Sequence, residues 1–175
     1  MAGKAHEHGA GKLNLVQEGT AYSLELELPL DTLVGFERAP RTAAERQAAL
    51  AAMARLRDAQ ALFRTQPAST GCTVSVTGIT APLLEAPAAA ASTNADAKPA
   101  SKAAPASGHT SVDIHADASA TYTLQCPPQA APQRLELRLF EAFPRLKRLE
   151  VQTVLASGQG RLKLSPSNRQ IDLRR

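Results

Sequence analysis

The sequence predicts an α+β fold, a mostly antiparallel β-sheet with one main α-helix, in which a flexible insertion joins two β-rich halves. Three observations predict it. Apolar residues alternate with polar ones over several short stretches, as in strands with one wet face. One stretch, about 42–63, repeats its apolar residues at helical spacing. Residues 86–108 are almost all Ala, Pro, Ser and Lys, which is typical of a disordered insertion within a single domain over 1–175.

The first predicted element is a β-hairpin. Leu13 and Leu15 alternate with polar neighbours, and Glu18-Gly19-Thr20 supplies turn chemistry. The alternation resumes over 22–28 until Pro29, which ends the strand. We interpret the following segment, 31–40, as an ordered loop that packs on the core.

The main helix is predicted from its start signal and its apolar stripe. Thr42-Ala43-Ala44-Glu45 has the spacing of a capping box, in which each side chain bonds to the backbone amide of the other residue. The helix is expected to run to about Phe63 with one apolar face, formed by Ala49, Met53, Leu56, Ala59 and Phe63.

The remaining elements are short strands. Residues 72–79 and 111–125 alternate as strands on either side of the insertion, and 135–139, 149–155, 162–164 and 171–173 continue the pattern. The segments 149–155 and 162–164 flank a Ser-Gly-Gln-Gly turn at 157–160. The total is about eight strands, mostly antiparallel neighbours.

Composition excludes several classes of protein. The 175 residues carry a net charge of +4, but Lys and Arg alternate with Asp and Glu, so nucleic-acid binding is not indicated. No apolar run is long enough to cross a bilayer, so we expect no membrane insertion. The N-terminus lacks the apolar core of a signal peptide, which leaves two readings: a cytosolic protein, or a mature chain with a starting Met.

The four histidines fall in two polar clusters. His6 and His8 lie near the N-terminus, and His109 and His115 lie in the predicted strand at 111–125 or just before it. Residues of equal parity share one face of a strand. One polar face would therefore present His109, Asp113, His115 and Asp117. Imidazoles and carboxylates at this spacing suit a divalent metal such as Zn²⁺, although a solvated strand face would have the same pattern.

The two cysteines, Cys72 and Cys126, each adjoin an apolar alternation and are expected on the core side of their strands. A disulfide is geometrically plausible if those strands are neighbours, and it would stabilise the fold by roughly 4 kcal/mol. Two buried free thiols in a reducing compartment would fit the same sequence. No CxxC spacing indicates redox or metal chemistry.

Several motifs together resemble those of a known family. They are His8-Gly9, Leu13-Asn14-Leu15, Leu33-Val34-Gly35-Phe36-Glu37-x-Ala39-Pro40, Cys72, Tyr122-x-Leu124-x-Cys126 and Leu139-Phe140-Glu141-Ala142-Phe143-Pro144. The chain resembles the ZrgA-like periplasmic zinc-binding proteins over nearly its whole length. The resemblance implies a Gram-negative periplasmic protein that supports zinc acquisition by an ABC-type uptake system. It also implies a removed signal peptide and a disulfide between Cys72 and Cys126.

The insertion departs from the family pattern. Family members typically carry a stretch rich in histidine and aspartate there, whereas 86–108 has no histidine and a single aspartate, Asp96. High-capacity zinc loading by the insertion is therefore in doubt. The resemblance carries over His8 and His115 as ligands, and His6, His109, Asp113 and Asp117 are further candidates.

Three functions compete. The leading one is a periplasmic zinc-binding accessory protein that works with ABC-type zinc transporter components. The alternative is a metal-independent envelope module that docks on a transporter, with the Phe36 loop and the segment of Phe140 and Phe143 as candidate surfaces, although aromatic residues more often pack in the core. We do not expect an enzyme: Ser111, Asp113 and His115 lie in one row of a strand and cannot surround a substrate, and no GxSxG or HExxH motif occurs.

Overall fold

The computed structural model describes residues 8–85, 116–130 and 132–174. Within these residues the strands are β1 (Ala10–Glu18), β2 (Ala21–Pro29), β3 (Phe63–Gln66), β4 (Thr73–Thr80), β5 (Asp117–Gln125), β6 (Arg134–Leu137), β7 (Arg148–Leu155), β8 (Gly158–Leu164) and β9 (Gln170–Asp172). The helices are α1 (Leu30–Val34), α2 (Ala43–Arg57), α3 (Ala59–Leu62), α4 (Pro82–Glu85) and α5 (Leu139–Ala142), and Ala68–Thr70 forms one 3₁₀ turn.

The strands form two sheets. The larger has the order β4-β5-β2-β1-β7-β8, and the smaller has the order β3-β6-β9. All neighbouring strands are antiparallel except β1 and β7, which are parallel. The predicted α+β fold with a mostly antiparallel sheet is confirmed.

The core lies on one face of the larger sheet. Alternate residues of β1 and β2 are fully buried, such as Leu13, Leu15 and Leu24, while their neighbours are exposed. The smaller sheet and α2 contribute to the same buried cluster through residues such as Leu135 and Leu56. The period of two places every second side chain on the opposite face, which carries mostly polar residues such as Lys12, Glu25 and Gln152, together with the exposed Val154.

The hairpin and the helix start agree with the prediction. β1 and β2 pair around Gly19 and Thr20, and Pro29 is the last residue of β2. Thr42 and Glu45 form both hydrogen bonds of the capping box. The first part of the loop predicted over 31–40 is helical instead, because α1 follows Pro29 directly and ends at Val34, where Gly35 caps it in the left-handed conformation with φ 88°.

The single helix predicted over about 42–63 is wrong at its C-terminal end. α2 ends at Arg57, because Asp58 leaves the helical region and its carboxylate accepts a hydrogen bond from the amide of Ala61 at 3.2 Å. That bond starts α3 as a separate turn. Phe63 keeps its buried position but belongs to β3, where it pairs with Leu137.

The strand predicted over 111–125 is described from Asp117 onward, and 111–115 lie outside the described residues, as does the predicted insertion 86–108. No helix in the described ranges is long and apolar enough to cross a membrane.

Candidate functional site

Four chain segments meet at one end of the larger sheet, at the start of β1, β5 and β7 and the end of β2. Ala10 pairs with Arg148, and Pro29 pairs with Asp117. Beyond the last of these pairs, the amide of Leu30 donates to the carbonyl oxygen of Ala116 at 2.7 Å. The ends of these separate segments are thereby held together at one end of the sheet.

Gly9 anchors the N-terminal segment there. Its carbonyl oxygen accepts hydrogen bonds from the amides of Lys147 at 2.7 Å and Arg148 at 3.0 Å. Its φ is +76°, and a Cβ atom at this position would lie 3.0 Å from the carbonyl oxygen of Arg145. Glycine is therefore required both for the backbone conformation and for the close approach. The His8-Gly9 motif fixes the backbone that carries the imidazole.

His8 contacts an acidic residue that the sequence analysis did not single out. Its Nδ1 atom lies 2.9 Å from Oδ2 of Asp31, the second residue of α1. The side chain of His8 is 74% exposed and that of Asp31 is 27% exposed. The imidazole is thus held on one side and open to solvent on the other.

A signal for this contact was present in the hairpin. Lys12 pairs with Glu27, and four residues beyond this pair lie His8, just before β1, and Asp31, just after β2. Antiparallel pairing brings such residues together whatever their distance in the sequence.

Asp117, one of the predicted ligands, lies at the first position of β5 and is half-buried. A hydrogen bond to Glu27 at 2.7 Å raises the pKa of Lys12, and Asp117 and Glu150 raise it further through their charges. Lys163 in turn lies 4.0 Å from Glu150. Asp117 therefore belongs to a group of alternating charges on the open face of the sheet, with a cation among its neighbours.

The loop motif beginning at Val34 has a structural role. The guanidinium of Arg38 lies 5.4 Å from the centre of the Phe36 ring and forms two hydrogen bonds to the carboxylate of Glu45, at 2.7 and 2.9 Å. Glu45 also caps α2, so this contact joins the loop to the helix start. The guanidinium of Arg145 lies against Gly35, where a Cβ atom would be 2.7 Å from one of its nitrogens.

The aromatic surface considered for partner docking is mostly absent. Phe140 and Phe143 are 7% and 1% exposed and belong to the core. The core-packing alternative therefore holds for Phe140 and Phe143, because α5 and the residue after it turn both rings inward. Phe36 is half-buried and lies under Arg38.

Cys72 and Cys126 form the disulfide. The bond joins the residue before β4 to the residue after β5, and the two strands are neighbours in the sheet. It thereby connects the two β-rich halves of the chain on either side of the long connection between α4 and β5.

The other predicted ligands, His6, His109, Asp113 and His115, lie outside the described residues. Among 8–85, 116–130 and 132–174, no three His, Cys, Asp or Glu side chains form a group that could hold a metal ion. The described part of the chain thus contributes the pair of His8 and Asp31 and, further along the sheet, Asp117.

Residues 5–173 match the sequence model of a protein family described as ZrgA family zinc uptake protein. The chain belongs to the ZrgA family. No curated protein matches it. Its membership in the ZrgA family makes this a protein related to zinc uptake. The ZrgA match spans both sheets and includes His8 and Asp31.

Proposed function

We propose that this chain is a periplasmic zinc-binding accessory protein that supports zinc acquisition by an ABC-type uptake system, with Zn²⁺ as its cargo. One observation carries the proposal: in a chain of the ZrgA family, the imidazole of His8 is held by Asp31 at an exposed end of the sheet. A positioned imidazole with an open ring nitrogen is what a zinc site requires of a protein ligand.

His115 is the proposed second imidazole ligand. It directly precedes Ala116, whose carbonyl oxygen accepts from Leu30, the neighbour of Asp31. Two imidazoles from separate chain segments would then share one ion. The remaining candidates to complete the coordination are His6, His109, Asp113 and Asp117.

Zinc handling by this chain is proposed to depend on a structured site rather than on the insertion. Residues 86–108 contain no histidine and one carboxylate, Asp96. The stoichiometry should therefore be close to one ion for each chain, which is a clear expectation for a titration.

The disulfide supports the proposed compartment. Disulfides persist in oxidising environments such as the bacterial periplasm and are rare in the cytosol. The bond between Cys72 and Cys126 therefore favours the periplasm over the cytosolic reading of the N-terminus.

The proposal is tested by calorimetric zinc titration of the intact protein, His8→Ala and His115→Ala. A saturable submicromolar site in the intact protein, weakened at least tenfold in both variants, supports it. Glu25→Gln is the control, since Glu25 lies on the open face of β2 and bonds to Asn14 rather than to His8. Absence of saturable binding in the intact protein would overturn the zinc proposal and leave the interaction module as the better reading.

A further inference from the structure

We infer that Asp31 is the positioning residue of the zinc site: its carboxylate holds His8 in the tautomer that carries the proton on Nδ1, which leaves Nε2 free to bind the metal. This inference rests on the proposed function and deepens it. It assigns a role to a residue that neither the histidine pattern nor the family motifs indicate.

The direction of the hydrogen bond follows from the chemistry of the two groups. An ionised carboxylate only accepts hydrogen bonds, so at 2.9 Å the Nδ1 atom of His8 must be the donor to Oδ2 of Asp31. A neutral imidazole carries one proton, and Nε2 then has the free lone pair. Metal-binding histidines usually donate their second ring nitrogen to a carboxylate or carbonyl in this way.

Both partners are held by backbone contacts that do not depend on the pair itself. The carbonyl oxygen of Gly9, next to His8, accepts hydrogen bonds from the amides of Lys147 and Arg148 at the start of β7. On the other side, the amide of Leu30 donates to Ala116, and the carbonyl oxygen of Asp31 accepts from the amide of Gly35 at 2.9 Å. The imidazole and the carboxylate are therefore brought together by the fold, which is the condition for a preorganised ligand.

Stability alone is a poor explanation for the pair. The imidazole is 74% exposed, and exposed ion pairs contribute little to folding. The same exposure leaves the ring edge that bears Nε2 accessible to an incoming ion. The geometry thus fits ligand orientation better than it fits a structural contact.

The test compares Asp31→Ala, Asp31→Asn and the control Glu25→Gln with the intact protein by zinc calorimetry at pH 7.5. Loss of such a carboxylate partner typically weakens metal binding 10- to 100-fold, so we expect that range for Asp31→Ala, a smaller loss for Asp31→Asn and no change for Glu25→Gln. Thermal unfolding of each variant shows that the fold is intact, since the exposed pair should change the melting temperature little.

A spectroscopic readout separates positioning from a merely structural role. Nitrogen-15 NMR of the imidazole rings, with the His8 signal assigned from its loss in His8→Ala, reports which ring nitrogen carries the proton. We expect Nδ1 to be protonated in the zinc-free protein and to stay protonated with zinc on Nε2. In Asp31→Ala the free ring should shift toward the other tautomer.

The outcomes distinguish this inference from the proposed function. Zinc binding that is lost in His8→Ala but unchanged in Asp31→Ala would overturn the inference alone, as would zinc bound through Nδ1. No saturable zinc binding to the intact protein would overturn both.

Discussion

The hydroxyl of Tyr122 donates a hydrogen bond to the carbonyl oxygen of Leu56 at 2.9 Å, in the interior of the protein. Tyr122 lies in the middle of β5, and Leu56 is in the last turn of α2, where carbonyl groups lack partners within the helix. The ring also packs edge-on against Phe63, with the ring centres 4.9 Å apart. One side chain therefore joins the central sheet, the end of the main helix and the first strand of the smaller sheet.

Tyr122→Phe is expected to lower the free energy of unfolding by about 1–2 kcal/mol, because the substitution leaves a buried carbonyl group without its partner. Burial raises the pKa of Tyr122, so the phenol remains a donor under all ordinary conditions. Urea unfolding measures the difference. Tyr22→Phe is the matched control, since the Tyr22 hydroxyl bonds to no residue in the described ranges. An equal loss in both variants would contradict the role of the Leu56 contact.

Removing the disulfide should destabilise the protein strongly. Cys72 and Cys126 are 54 residues apart in the sequence, and closing a loop of that length restricts the unfolded chain by about 4 kcal/mol. The double variant Cys72→Ser with Cys126→Ser should therefore melt about 10 °C lower than the oxidised protein in a thermal scan. A reductant should lower the melting temperature of the intact protein by a similar amount and leave that of the double variant unchanged. Insensitivity of the intact protein to reductant would argue against the bond.

The contact between Glu45 and Arg38 implies a specific pH dependence of stability. The hydrogen bonds from Arg38, together with the amides of Arg41 and Thr42, lower the pKa of Glu45 to about 2, from a usual value of 4.5. A carboxyl group whose pKa is lower in the folded state stabilises the protein above its unfolded pKa, and the contribution is lost as the pH falls through the folded pKa. The window therefore lies between about pH 4.5 and 2.

Glu45→Gln should accordingly be less stable than the intact protein at pH 7, and the difference should shrink as the pH falls from about 4.5 to 2. Denaturant unfolding at a series of pH values measures it. Glu37→Gln makes the same change of charge nearby, at a residue without an ion-pair partner in the described part of the chain, and should show no such window. A constant difference between Glu45→Gln and the intact protein down to pH 2 would disprove this assignment.

Local sequence signals predicted the elements they control directly. The hairpin turn, the capping box of Thr42 and Glu45, and the apolar stripe that buries Met53 and Leu56 were all predictable, because each depends on residues a few positions apart. The break at Asp58 was missed because the apolar stripe continues through it. β3 was missed because four residues are too short for a period, and only its pairing with β6 defines it.

The candidate site shows the same division between local and long-range information. Residue type pointed to His8, but its partner Asp31 is 23 positions away and becomes visible only when the hairpin register is followed outward. The ligand role of Asp117 stays a prediction, and its effect on the pKa of Lys12 could not be predicted, because the fold places Lys12 two strands away. The single domain over 1–175 with an insertion at 86–108 stays a prediction.

Gly9→Ala should uncouple the N-terminal segment from the sheet. Alanine would have to adopt a φ of +76° and would bring its Cβ atom to 3.0 Å from the carbonyl oxygen of Arg145. The left-handed conformation alone costs about 1–2 kcal/mol for a residue with a Cβ atom. Gly19→Ala is the matched control, because Gly19 has a φ of +63° and no described atom within 4 Å of the added Cβ.

Both variants should lose stability in urea unfolding, and Gly9→Ala should lose more, since it also crowds backbone atoms that cannot rotate away. Gly9→Ala should in addition weaken zinc binding, because the carbonyl group that fixes the backbone beside His8 is displaced. Gly19→Ala should bind zinc like the intact protein, since the turn lies at the far end of β1 from His8. Equal zinc affinity in the two glycine variants would show that the backbone anchor at Gly9 does not position the imidazole.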